Sequence, residues 1–449
     1  MTAEPKLLIH GYFDRRLSDQ EIRELGDWIK EDPRHARQFA SYALLHNRLH
    51  DYYRSKDILE GNGFGRVRSK PMDRRWWRMG LAVAMLIGIG LSALGWWAAR
   101  RGPSGEVASL VEARAIVWGE GQPPITIGTR LGPGDIRCSS GTFKLVFDVG
   151  AVVALEGPAD LRIVSGTRIL AVRGRITAHV EGRAKGFAIE TPNTLVVDQG
   201  TEFGVEVDAS GQTDVVVFQG IVDLAHSEPA DHPASIKRLG QGEGMRIGNA
   251  GLLSRIISVE RRPGDDEWAT GPSSDQGAVI RSVRDNIRGL DSSKYYQIVH
   301  RGLDDDTPAY VDRTHEWNGL NREGLPAFLR GADYIMTFNE DKWMKDLSVT
   351  VELAQAATLY VFYDTRLATP HWLPGRLTDT GVRIGLDEGQ WRGGPPQSVG
   401  RGSGTSIDTV FSVWRCDLGP DETIDLGNVS PIENGGGNAM YGIAAVPRP

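Results

Sequence analysis

A chain of 449 residues is long for one domain, and the usual size prior gives about three. Its net charge of −7 is modest but uneven: residues 1–78 carry 16 Lys and Arg against 12 Asp and Glu, the remainder 35 against 46. The weakly basic first part lacks the dense basic and aromatic surface of a nucleic-acid reader, and the distant Cys138 and Cys416 form no CxxC motif, so direct nucleic-acid binding and thiol-based metal or redox chemistry are excluded.

The first predicted elements are helical. Ser18-Asp19-Gln20-Glu21 has capping-box spacing, with Leu17 and Ile22 placed for a hydrophobic staple. Ile22, Leu25, Trp28 and Ile29 then fall on one helical face. Asp32 and Pro33 suit the N-cap and first position of a second helix, whose apolar side carries Phe39, Leu45 and Leu49. So small an apolar stripe buries little by itself and fits a surface completed by a partner. His46 and His50 have chelating spacing, but Asn47 stands where a zincin motif needs Glu, which favours packing or solvation. Residues 61–78 read as a juxtamembrane linker.

Met79–Ala99 holds no charged residue, and a helix of that length rises about 30 Å, the thickness of a bilayer's hydrocarbon core. Trp76 and Trp77 stand before it, and Trp96 and Trp97 close it, as interfacial belts would. Arg66, Arg68, Lys70, Arg74, Arg75 and Arg78 precede the run and only Arg100 and Arg101 follow closely, so residues 1–78 are expected in the cytoplasm and residues 102–449 outside.

Beyond this run the apolar period becomes two. Strands are predicted at Phe143–Phe147, Val152–Leu155, Leu161–Val164, Ile169–Val172, Ile176–Val180, Phe187–Glu190, Leu195–Val197, Phe203–Val207, Asp214–Phe218 and Ile221–Leu224. Gly, Pro, Asn or Asp bounds each of them, which describes an all-β domain at 106–259.

Several fragments of this stretch carry a family resemblance. They are Leu131-Gly132-Pro133-Gly134-Asp135, Asp148-Val149-Gly150 and Val172-Arg173-Gly174-Arg175-Ile176, then Phe187-Ala188-Ile189-Glu190-Thr191-Pro192. Gly200-Thr201-Glu202-Phe203-Gly204-Val205 and Val217-Phe218-Gln219-Gly220-Ile221-Val222 complete the set. In this order they resemble a FecR-type domain. The resemblance implies a transmembrane anti-sigma factor or sigma regulator at the bacterial inner membrane. Its helical domain would bind an extracytoplasmic-function sigma factor through Ile22, Leu25, Trp28, Ile29, Phe39, Leu45 and Leu49. Its outer domains would sense an envelope signal. Residues 1–78 lack the cysteines of an HxxxCxxC anti-sigma zinc motif. The long C-terminal extension resembles those of planctomycete-like members and not the terminal domain of siderophore-sensing ones.

Residues 260–278 read as a linker and 279–449 as a C-terminal β-sandwich, jelly-roll and galactose-binding-like. A short helix is expected at Val279–Arg288. Strands follow at Tyr334–Phe338, Leu347–Leu353, Thr358–Tyr363, Phe411–Cys416, Thr423–Leu426 and Met440–Val446. Asp364, Arg366, His371, Trp372 and Trp391 are candidate ligand residues, since indole faces stack on sugars and Asp or Arg bonds hydroxyls. Packing of loops onto the sandwich is the favoured reading of Trp372 and Trp391. Asp304-Asp305-Asp306 suits a solvated turn better than a calcium site. GxSxG, P-loop and HExxH motifs do not occur, and Glu202 with Glu156 or Asp198 makes a weak carboxylate pair.

The fold class expected is therefore multidomain: a small all-α N-terminal domain at 1–60, one transmembrane helix at 79–99, then the two β parts. No catalytic residue, metal or cofactor is expected. The alternative is a membrane-tethered binder of envelope carbohydrate or protein without a transcriptional role.

Overall fold

A computed structural model describes residues 105–226, 235–248, 251–262, 266–389, 399–430 and 438–448. In strand Gly134–Phe147 the side chains of Phe143, Leu145 and Phe147 are buried, while Thr142, Lys144 and Val146 lie on the other face. The same alternation lets Ala108–Trp118, Gly134–Phe147, Val152–Ser165 and Arg168–His179 pair as an antiparallel meander.

Arg168–His179 then forks. Its first residues pair in parallel with Ala188–Glu190, and Gly174–His179 pairs antiparallel with Glu202–Val207. One branch continues through Thr194–Asp198, Ile221–His226 and Ser235–Gly240, the other through Thr213–Gln219, Gly244–Ile247 and Leu253–Arg255. Ile189, Val196 and Val222 from the first branch meet Phe203, Val205 and Val217 from the second in one apolar core.

The strands expected separately at Val152–Leu155 and Leu161–Val164 are one continuous strand, as are those at Ile169–Val172 and Ile176–Val180. Gly157, Pro158 and Gly174 resemble turn residues in sequence but sit at a bulge, where the register skips between Glu156 and Asp160. A Cβ at Gly174 would stand 2.7 Å from that of Ala159, so glycine is required by close approach within the ladder.

The C-terminal part is a ten-stranded sheet faced by three strands. Ser258–Arg261 pairs in parallel with Tyr296–Val299. Asp333–Met336, Gly442–Pro447, Ala357–Asp364, Thr409–Leu418 and Thr378–Asp387 extend the sheet antiparallel. Ile280–Asp285, Val349–Leu353 and Thr423–Leu426 form the second sheet. Their Ile280, Val283, Val351 and Ile424 enter the same apolar cluster as Tyr334, Leu359, Val361 and Ile443.

Ile280–Asp285 is a strand where a helix was expected. A bulge between Ile280 and Ser282 sets the buried Ile280 and Val283 three residues apart, which imitates a helical face. The expected fold class is corrected too. The described chain is all-β, with one short α-helix at Trp372–Arg376 and 3-10 turns at Gly182–Ala184 and Asn339–Trp343. No helix among the described residues is long and apolar enough to cross a membrane. The all-α domain expected at 1–60, the linker at 61–78 and the transmembrane helix at 79–99 lie outside the described residues. In place of a jelly-roll, the C-terminal half sets ten strands against three, and the stretch 260–278 contributes strand Trp268–Thr270.

The described residues from 105 onward form one compact unit, and a seam joins its two β parts. Trp268 is buried over Gly204, where a Cβ would stand 2.4 Å from the indole ring. Val216, Ile256, Val259, Trp268 and Tyr295 form an apolar cluster across the seam. The Tyr295 hydroxyl donates to the Val217 carbonyl at 2.8 Å, and the Gly244 N–H donates to the Ser293 carbonyl at 2.7 Å. Buried Arg255 and Arg288 both pair with Asp285, and Arg288 continues to Asp341. Trp268→Ala is expected to cost about 3–5 kcal/mol in urea denaturation of the full chain, as large aromatic truncations in a packed core do. A loss below about 1 kcal/mol would show that the indole does not stabilise the seam.

Candidate functional site

The candidate residues near the end of strand Ala357–Asp364 are largely engaged with protein partners. Asp364 is fully buried, and its carboxylate accepts from the backbone N–H groups of Arg366 at 3.0 Å and Ala439 at 2.9 Å. The Arg366 guanidinium pairs with it at 2.7 Å and reaches Glu388 at 3.4 Å. The Trp372 indole N–H donates to the Asn428 carbonyl at 2.9 Å, and its ring meets Tyr441 edge-on at 5.6 Å. Trp372 therefore packs one loop against another. His371 is exposed, and Trp391 lies outside the described residues. The structure brings Asp364 and Arg366 together and leaves Arg366 and His371 as the members with side chains open to solvent.

Asp305 and Asp306 tie loops. The Asp305 carboxylate accepts from the N–H groups of Gly319 at 2.8 Å and Leu325 at 2.9 Å, and Asp306 from that of Gly402 at 2.6 Å. The weak carboxylate pair does not assemble either. Glu202 pairs with Arg261, Glu156 with Arg175, and Asp198 binds Thr201 and the Gly200 N–H. Cys138 and Cys416 are both free thiols, and burial pushes both up, Cys416 to about 11.

The seam holds a polar recess, a cavity of about 300 Å³. Glu112, Lys144, Glu156 and Arg175 line it from the outer faces of the meander strands, and Asp266 and Glu267 from the C-terminal part. The Lys144 ammonium pairs with Asp266 at 2.7 Å and stands 3.6 Å from Glu112. His179 Nε2 lies 3.0 Å from the other Asp266 oxygen. Hydrogen bonds from His179 and Lys144 outweigh burial and hold the Asp266 carboxyl well below the usual carboxylate range. The Arg175 guanidinium bridges Glu156 at 2.8 Å and Glu206 at 2.9 Å, and its buried Nε has no partner.

Sequence reading missed this recess. Lys144, Glu156 and Arg175 sit at the alternating outward positions of strands, where charge reads as a solvated face. Only Gly204 inside an apolar run and the lone Trp268 signalled that something covers that face.

A second cluster has the connectivity of a Ser-His-Asp triad. Ser273 Oγ is 3.3 Å from His300 Nε2, and His300 Nδ1 is 2.9 Å from Asp333. Glu260 also meets Nε2, at 3.0 Å. Burial opposes charge on His300, but the hydrogen bonds to Asp333 and Glu260 outweigh it and push its pKa up to about 9. A protonated imidazole cannot take a proton from Ser273, so the cluster stores a buried cation and does not activate a nucleophile. Its stabilisation is fully present below the ordinary histidine pKa of about 6.5. It is lost as pH rises from there through about 9. Unfolding free energy of the wild-type chain is thus expected to fall across that window relative to His300→Gln. Parallel pH profiles of the two proteins would refute the assignment.

Among the described residues these features define an all-β architecture led by a forked sheet over one apolar core. Residues 141–223 match the model of the family described as FecR protein, from within strand Gly134–Phe147 into strand Ile221–His226, so this part of the chain is similar to a FecR-type domain. No curated protein matches the chain. Two crystal structures of a candidate anti-sigma factor from Parabacteroides distasonis ATCC 8503 each share 22% identity with a TM-score of 0.23. Each match covers 27% of this chain and 57% or 58% of the other, so the chain spans little more than half of their length. A β-glucuronidase of glycoside hydrolase family 2 matches over 70% of this chain and 38% of its own, with 12% identity and a TM-score of 0.28. At such scores these likenesses carry no argument about fold or activity.

Proposed function

We propose that the chain is an anti-sigma regulator that binds an extracytoplasmic-function sigma factor through residues 1–78 and answers an envelope signal through its β parts. The observation that supports this reading is the FecR-family match over residues 141–223. Ile22, Leu25, Trp28, Ile29, Phe39, Leu45 and Leu49 are the proposed sigma-binding residues. Covering each such side chain contributes about 1.5–3 kcal/mol, so a few of them suffice for a specific complex. Asp364, Arg366, His371, Trp372 and Trp391 are the proposed contacts for an envelope carbohydrate or protein, with Arg366 and His371 open to solvent and Trp391 outside the described residues. The reading gives the chain no reaction of its own and no direct nucleic-acid contact.

Full-length protein is expected to co-purify with one sigma factor of its own cell, and Trp28→Asp with Leu45→Asp to abolish that capture and derepress the cognate promoter. Unchanged transcription with no captured sigma factor would leave the alternative, an envelope-binding protein without a transcriptional role. Localisation at the bacterial inner membrane, with residues 1–78 cytoplasmic and the β parts outside, belongs to the same proposal. Reporter fusions after Lys70 and after Gly105 are expected to report opposite compartments, and cytoplasmic activity at both sites would reject that arrangement.

A further inference from the structure

The bulges of the meander fall in line across it. The ladder skips between Arg114 and Val117, between Cys138 and Thr142, and between Glu156 and Asp160. Thr142 pairs with both Arg114 and Glu156, and Glu156 pairs in turn with Arg175, so the skips stand side by side. Bulges bend a strand and re-aim its side chains, and a row of them cuts a trough across the face of the sheet. Two recesses lie along it. One is the seam cavity, with Ala115, Gly141 and Ala154 in its wall, and the other holds about 280 Å³ between Gly157, Gly174 and Ala209. Glu156 and Arg175 line both, so the two adjoin.

The wall is shaped backbone. Ala115 holds a φ of 47°, in the left-handed region, and a Cβ on Gly141 would run into its carbonyl oxygen. Strain of that kind persists only where the surrounding structure holds it, and it gathers at ligand clamps. Charges along the trough come in pairs: Glu112 meets Arg114 and Lys144, Lys144 meets Asp266, and Arg175 meets Glu156 and Glu206. An ion entering there stays unpaired or takes a partner from another charge. A hydroxyl both donates and accepts, so it bonds a carboxylate and its cation together and breaks neither pair. A peptide strand adds to a sheet edge, where main-chain groups are open. This trough crosses a face whose backbone is paired strand to strand, so hydroxyl-rich rings fit it better.

We propose that the trough binds a neutral oligosaccharide laid across the strands, one sugar ring in each recess. Glu112 and Lys144 bond its hydroxyls at one end, and Glu156 and Arg175 bond them where the recesses meet. Adjacent strands stand about 4.8 Å apart, so crossing four of them gives the trough a length of about 15 Å, more than a single ring fills. The inference rests on this face of the sheet and goes beyond the sigma-factor reading. It also concerns a different place from Asp364 and Arg366, so each can fail alone.

Calorimetric titration of the full chain with cellotetraose and with maltotetraose, neutral tetrasaccharides of opposite linkage, tests it. Saturable one-site binding of at least one of them is expected, with little change as salt rises. Tetragalacturonate, tetralysine and tetraserine (an acidic glycan, a basic peptide and a neutral one) are each expected to bind at least tenfold more weakly. Ala154→Phe, which fills the seam recess, should weaken the bound tetrasaccharide at least tenfold with the thermal midpoint retained. A further readout needs no variant: the saturating tetrasaccharide should slow acylation of Lys144 in the wild-type chain. Absence of binding by both tetrasaccharides overturns the proposal. So does a charged oligomer or tetraserine that binds as tightly, equal affinity in folded Ala154→Phe, or Lys144 acylation that ignores saturating sugar.

Discussion

Trp268 can lie on the outer face of strand Glu202–Val207 only because residue 204 has no side chain. The indole is buried there, edge-on to Phe218 at 6.0 Å, and closes an apolar cluster with Val216, Val259 and Tyr295. That contact holds strand Trp268–Thr270, and with it Ser258–Arg261, against the first sheet. Ser258–Arg261 lies beside Tyr296–Val299, and the ten-stranded sheet continues from that pairing. The same placement brings Asp266 to Lys144 and His179, which roofs the recess. One glycine and one tryptophan thus set both the joint between the β parts and the polar cavity beside it.

The charges around the seam follow from that burial. Arg255, Asp285, Arg288 and Asp341 are nearly removed from water, and desolvation makes such a network a poor source of net stability compared with apolar packing. Its effect is directional. Arg255 belongs to strand Leu253–Arg255 of the thirteen-stranded sheet, Asp285 to the small C-terminal sheet and Asp341 to the turn at Asn339–Trp343. Leaving any one charge unpaired in that setting is expensive, so the network selects the single arrangement in which all three elements meet. His300 does the same nearby, because Glu260 and Asp333 can both be buried only while the imidazole between them is charged.

Much of the fold was legible because alternation is a local signal. Strands such as Phe203–Val207 and Thr358–Tyr363 announce themselves by β-branched and aromatic residues, and the structure places strands Glu202–Val207 and Ala357–Asp364 there. Errors arose where the local signal was ambiguous. Gly157 and Gly174 carry turn chemistry but serve a bulge, and the bulge at Ile280 gives a strand the spacing of a helix. The site was less legible for a different reason. Asp364 and Arg366 are neighbours in sequence, so their association could be anticipated. Lys144 and Asp266 are 122 positions apart, and nothing local to either residue predicts that one covers the other. The indole of Trp372 packs against Gly427 and Tyr441, which only the fold brings beneath it.

The seam also constrains how a signal could pass through the β parts. A boundary between loosely tethered domains is polar and opens cheaply. Here opening would expose Trp268, Tyr295 and Val259 and strip the Tyr295 hydroxyl from the Val217 carbonyl. At about 25 cal/mol per Å² of apolar surface, those side chains alone oppose separation by several kcal/mol. A ligand shifts an equilibrium only by its differential affinity for the two states, and few small ligands supply that much. The two β parts are therefore expected to answer ligands together. The changes within reach are local ones, such as an exchange of partners among Glu112, Lys144 and Asp266, where the ion pairs are half-exposed and the cost of rearrangement is small.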